Sequence, residues 1–292
     1  MSVGGARREQ MAVTSLAAAI IAVVLTGCAP GTAQPAPLPD GVTVAFAQQR
    51  SDVAARQAQV RVHNGTDAPL AIGDVAVTDP RFEGVAARPI DGVTSVRPGA
   101  TVDIRVQLPE MHCDTAEGES TVELQFVDGA TEITRVAPLP DTLGFLPPLH
   151  ERECRAQALA DAATVELVAF TPSAPGVPAE LVLAVTPSGV GGARLVGVHT
   201  TNLLAFRSTD GSPGPVHPLD IEIMAGGGAE RVVLPLIPHR CDPHAVQEDK
   251  RGTVFTVDVE VGGEPGIIEL AASEEMRGRI LTWVGQWCGF GQ

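Results

Sequence analysis

Apolar and polar residues alternate in short runs along most of this chain. Val102, Ile104, Val106 and Leu108 are separated by Asp103, Arg105 and Gln107, a two-residue period that sends one set of side chains to each face of a strand. The same period runs through Val42–Phe46, Val60–Val62 and Val122–Phe126. Asp128-Gly129 then turns the chain into Ile133–Val136, a hairpin signal. Runs of this length, bounded by Gly, Pro, Asn and Asp, predict a β-sandwich of about seven strands.

The second half repeats the plan. Val44 precedes Val60 by sixteen residues, as Leu167 precedes Leu183, and Val62–Phe82 and Val185–Phe206 span twenty and twenty-one. Leu70–Val75 resembles Ala193–Val198. A strand ending Val106-Gln107-Leu108 runs into Met111-His112-Cys113-Asp114, and Val232–Leu236 runs into His239-Arg240-Cys241-Asp242. Each cysteine precedes an acidic loop, a strand, a glycine turn (Gly129; Gly262-Gly263), a last strand and one further cysteine, Cys154 or Cys288. Helix is sparse. Ser273 caps a predicted helix opened by Glu274 and Glu275, with Met276, Ile280, Val284 and Trp287 on one face. A second short helix is expected after Pro148, around Cys154.

Strand spacing and the Asn64-Gly65 and Pro98-Gly99 turns resemble those of the bacterial immunoglobulin-like domains of secreted and surface proteins. The resemblance covers nearly all of the chain after residue 40. It implies an all-β protein of two tandem immunoglobulin-like β-sandwich domains with short accessory helices, 41–154 and 155–292. The Cys-Trp-Cys arrangement of antibody domains is missing from the sequence.

The start of the chain carries an address. Arg7 and Arg8 precede an apolar stretch from Met11 to Leu25, roughly 22 Å long as a helix against a hydrocarbon core of about 30 Å. That is the form of a signal peptide, 1–27, rather than a permanent span. Leu25-Thr26-Gly27-Cys28 resembles the lipobox of bacterial lipoproteins. The resemblance implies cleavage after Gly27, diacylglyceryl on the Cys28 thiol and an acylated amino terminus, since two or three acyl chains anchor stably where one does not. Residues 28–40, with Pro30, Pro35, Pro37 and Pro39, read as a lipidated Pro-rich tether. The expected location is the outer face of the cytoplasmic membrane, with the export route, general secretory or twin-arginine, left open.

Charge narrows the partners. Arg7, Arg8 and Glu9 leave with the signal peptide, so 20 basic and 35 acidic residues become 18 and 34, a net −16 in place of −15. Such a surface disfavours nucleic acid and anionic headgroups. With no tyrosine and two tryptophans, a sugar-binding face of stacked aromatics is poorly supplied.

Beyond Cys28 four cysteines remain, and an even count outside the cytoplasm suggests disulfides. Of three possible pairings, the repeat favours Cys113–Cys154 and Cys241–Cys288, which give each copy a complete bridge. The alternative is a copper or zinc site from His239, Cys241 and His244, which combine imidazole and thiolate within six residues. The first copy has His112 but no second histidine. Catalytic signatures fail to form: no G-x-S-x-G, no S-x-x-K and no phosphate loop, and His150-Glu-Arg-Glu-Cys154 has Cys where a zinc protease needs its second His. The expectation is a cofactor-free, non-catalytic, membrane-anchored module that binds another envelope protein or serves as an accessory subunit of a membrane complex.

Overall fold

The computed structural model describes residues 36–208, 213–248 and 251–290. The expected signal peptide, the lipidated Cys28 and most of the tether lie outside these residues. Among the described residues no helix is long and apolar enough to cross a membrane.

The first sandwich contains β1 (Val42–Ala47), β2 (Gln57–Asn64), β3 (Leu70–Thr78), β4 (Val85–Ala87), β5 (Thr94–Val96), β6 (Thr101–Gln107), β7 (Thr121–Asp128) and β8 (Thr131–Pro138). Strands β1-β2-β6 make one sheet half and β3-β7-β8 the other. The short β4 bonds to both β3 and β6, and β5 pairs with β3. After helix α1 (Leu146–Ala162) come β9 (Ala163–Thr171), β10 (Ala179–Pro187), β11 (Gly192–His199), β12 (Leu204–Arg207), β13 (Pro213–Gly214), β14 (Val216–Met224) and β15 (Glu230–Pro238). Helix α2 (Pro243–Glu248), β16 (Val254–Val261), β17 (Glu264–Ala271) and helix α3 (Glu274–Cys288) follow. The second pair of sheets has the orders β13-β12-β15-β10-β9 and β14-β11-β16-β17. Both halves show the strand order of an immunoglobulin-like sandwich, and the chain is all-β with accessory helices.

The two halves share register as well as order. Val60 pairs with Ile104 and Leu183 with Val232, each partner at the same distance before the next cysteine. The β3–β7 pairing is interrupted by a bulge between Ile72 and Val75, and β11–β16 by one between Leu195 and Gly197. The last hairpins close at Asp128–Thr131 and Val261–Glu264. Gly262 and Gly263 both have positive φ (61° and 84°), as the tight turn of that second hairpin requires.

Alternation builds two cores. Phe46, Val60, Val62, Ile72 and Leu124 fill the first and are fully buried. Leu181, Leu183, Leu195, Phe206 and Phe255 fill the second. Each such side chain contributes roughly 1.5–3 kcal/mol on leaving water. Helix α3 forms as its sequence predicts: Ser273 accepts from the Met276 N–H, and Gly289 closes the far end in the left-handed conformation, φ 83°. Its most buried aromatic is Trp283, which meets Phe170 edge-on at 5.5 Å and donates to the Ser173 carbonyl at 3.1 Å.

Three expectations change. Helix α1 is 17 residues long, not short. The expected domain boundary after Cys154 falls inside this helix, so the sandwiches are joined by shared structure rather than by a linker. The segment after Cys241 is the short helix α2, with the Asp242 carboxylate accepting from the His244 N–H at 3.0 Å, not a plain loop.

Candidate functional site

Buried polar side chains, Asp79, Arg81, Ser120 and His150 among them, gather on and beside the helix α1 that joins the two sandwiches. Pro147 and Pro148 occupy the first turn of α1, where N–H groups have no helical partner and proline's fixed φ suits the helix. The Leu146 N–H donates to Asp141 Oδ2 at 2.9 Å. Leu146 and Leu149 pack into the first core, and Leu159 and Ala162 into the second. One helix therefore belongs to both.

The helix is pinned along its length. Cys154 is bonded to Cys113, in the segment between β6 and β7, with Cα atoms 5.4 Å apart. Glu153 pairs with Arg56 at 2.8 Å. Arg155 pairs with Glu151 and reaches β17, where its guanidinium donates to the Ile267 carbonyl at 3.5 Å. The imidazole of His150, 7% exposed, donates through Nε2 to the His112 carbonyl at 3.2 Å and lies 3.5 Å from Cys154 Sγ.

Beside this helix lies a buried ion pair that the sequence reading missed. Arg81 grips Asp79 through Nε and Nη2 at 2.8 and 2.7 Å, and its own N–H donates to the same carboxylate at 2.9 Å. Ser120 Oγ adds a donor at 2.6 Å. Burial alone raises the Asp79 pKa; the hydrogen bonds from Arg81 and Ser120 and the Arg81 charge outweigh it and hold the carboxyl below its usual range. Arg81 also donates to the Gly118 carbonyl at 3.2 Å, fixing the loop that precedes β7. Asp79-Pro80-Arg81 was readable as a turn, but nothing in the sequence pointed to Ser120, 41 residues away.

Arg81, Glu117, His150, Glu151, Arg155 and Glu264 line a crevice of about 720 Å³ between the sandwiches. It is open, its lining surface is mainly apolar with charged side chains among it, and it is walled by Cys154 and the hairpin after β16. Its arginines already face carboxylates.

The remaining expected residues are placed as follows. Cys241 is bonded to Cys288, Cα atoms 5.3 Å apart, so both expected disulfides are present. The alternative metal set is corrected by that bond: Cys241 has no thiolate to offer beside His239 and His244. His239 and His244 are exposed, and the His239 N–H donates to Leu203 O at 2.8 Å. Among the described residues no three His, Cys, Asp or Glu side chains are grouped to hold a metal ion.

No known protein family matches the chain by sequence, and no curated protein does. Solved structures align weakly. A red sea bream transglutaminase is 11% identical, with a TM-score of 0.23, over 81% of this chain and 32% of its own. The CupB2 chaperone of Pseudomonas aeruginosa is 14% identical, TM-score 0.22, over 76% and 95%. The CsuC-CsuE chaperone-tip adhesion subunit pre-assembly complex of Acinetobacter baumannii gives 12% and 0.21, over 80% and 100%. The chain thus spans about a third of the transglutaminase and nearly all of the chaperones.

Proposed function

We propose that this protein is an extracytoplasmic lipoprotein, anchored through Cys28, that acts without catalysis as a protein-binding or accessory module of the cell envelope. The observation that carries the reading is the embedding of α1 in both cores, with the Cys113–Cys154 bond at its middle. A pair of sandwiches held this way presents a preformed surface, and binding to a preformed surface avoids the entropy cost of ordering it. Two disulfides in a chain of this size suit an oxidising compartment. The tether supports the anchor: Ala36 already bridges β8, its carbonyl accepting from the Val136 N–H at 3.2 Å. Cys28 precedes Ala36 by eight positions, a length of chain that reaches at most about 28 Å when fully extended. The test is photo-crosslinking in intact cells from positions spread over both sandwiches. The reading expects one protein captured reproducibly from a confined set of positions; capture of none at any position overturns it.

A further inference from the structure

Sheet edges expose unpaired backbone groups, and folded proteins cover or charge them. Among the described residues, the long edge strands other than β14 each carry at least one bond or bridge to a neighbouring segment. β1 bridges to Asp141 through Phe46, whose N–H donates to the Pro140 carbonyl at 2.9 Å, and β8 bridges to Ala36. The Phe170 carbonyl of β9 accepts from Arg279 of α3, and the Ile267 carbonyl of β17 from Arg155 of α1. β13 is two residues long.

β14 differs. It is nine residues long and, among the described residues, pairs with β11 alone. From Leu219 to Ile223 no side chain or segment among the described residues bonds its outer backbone groups. Leu219, Ile221 and Ile223 face the core, so the edge is rigidly held, while Asp220, Glu222 and Met224 face outward. Pro218, which has no N–H, limits the usable edge to the stretch after it.

The outward charges select an occupant. Arg194 of β11 donates to Asp220 at 2.7 Å, approaches Glu260 at 3.7 Å and stands opposite Glu222 in the register. Three carboxylates thus share one guanidinium, and the row beside the open edge stays acidic. A second copy of this chain is disfavoured in the register centred on Ile221, because antiparallel pairing of β14 with itself there sets Asp220 against Glu222, and like charges directly opposite are destabilising. We propose that Leu219–Met224 of β14 is a strand-addition surface for an extended segment of another protein carrying Lys or Arg at alternate positions. Backbone bonds hold the added strand, and its basic side chains meet Asp220 and Glu222. This deepens the protein-binding reading and rests on it.

The test uses the full mature chain in detergent micelles and two capped hexapeptides of one composition, Lys-Val-Lys-Val-Lys-Val and Lys-Lys-Lys-Val-Val-Val. Amide hydrogen exchange is followed by mass spectrometry. The alternating peptide is expected to slow exchange at least about tenfold within Leu219–Met224, and the block peptide is not. The double change Asp220→Asn with Glu222→Gln removes the protection while exchange elsewhere in the second sandwich stays as in the unchanged protein, which shows that the fold is intact. Equal protection by both peptides, protection elsewhere, or none overturns the proposal and leaves the acids as guards of the edge. Reproducible in-cell capture of one partner from positions remote from β14 would then keep the wider reading while this one falls.

Discussion

Arg155 of α1 lies across Gly266 of β17, where a Cβ would occupy the space of the guanidinium. The glycine is in extended backbone, so its role is room for this side chain rather than an unusual φ. Through this contact a helix seated in the first core touches the outer sheet of the second.

Gly266→Ala is therefore expected to displace Arg155 and to cost about 1 kcal/mol, the net worth of a typical lost hydrogen bond. Arg155→Ala should cost a similar amount, and Gly266→Ala in that background should cost almost nothing. Denaturant titration of the four proteins checks the cycle; additive losses would show that the contact is idle.

Breaking either disulfide by Cys→Ser pairs lowers stability. The bridges close loops with sequence separations of 41 and 47, each worth about 4 kcal/mol in the chain-entropy model. The two losses differ in kind. Opening Cys113–Cys154 frees the middle of α1, so small-angle scattering should show a wider spread of sizes for that variant than for the Cys241–Cys288 one.

Arg81→Met leaves Asp79 buried without its cation and should destabilise the protein by about 3–5 kcal/mol. Ser120→Ala removes one donor and should cost about 1–3 kcal/mol. Thermal unfolding of both variants gives the order directly.

Acid should weaken the fold in two stages. Burial beside the Phe206 ring, 5.5 Å away, pushes the His217 pKa below its ordinary value. Its contribution is complete above about pH 6.5, the unfolded value, and is lost as pH falls through the lower folded one. The Asp79 carboxyl, also held low, contributes fully above about pH 3.9 and loses that contribution at still lower pH. Tm against pH should therefore fall first below about 6.5 and again below about 4. His217→Asn should erase the upper decline alone.

The longer strands were legible from local alternation, and both disulfides from the internal repeat. Alternation names the faces of β6 and β7, and the repeat of Cys113 and Cys154 in Cys241 and Cys288 names the partners. Helix α1 was underread for a physical reason: Glu151-Arg-Glu-Cys-Arg155 and Ala156–Ala162 give a weak apolar stripe, because its two ends serve different cores, and Pro147-Pro148 reads as a break although prolines are tolerated in a first turn. The short β4, β5, β12 and β13 carry too few residues for a period. The Asp79–Arg81–Ser120 cluster and the open edge of β14 arise only when distant segments meet. Trp283 was passed over for Trp287, one helical turn later, because both fit an apolar face and only packing against Phe170 ranks them.

Mass spectrometry of the protein extracted from its native membrane, digested without reduction, tests the account most directly. The prediction is an amino-terminal peptide beginning at Cys28 and carrying diacylglyceryl, together with the linked pairs 113–154 and 241–288. An amino terminus elsewhere with an unmodified Cys28, or free thiols at Cys113 and Cys241, would contradict it.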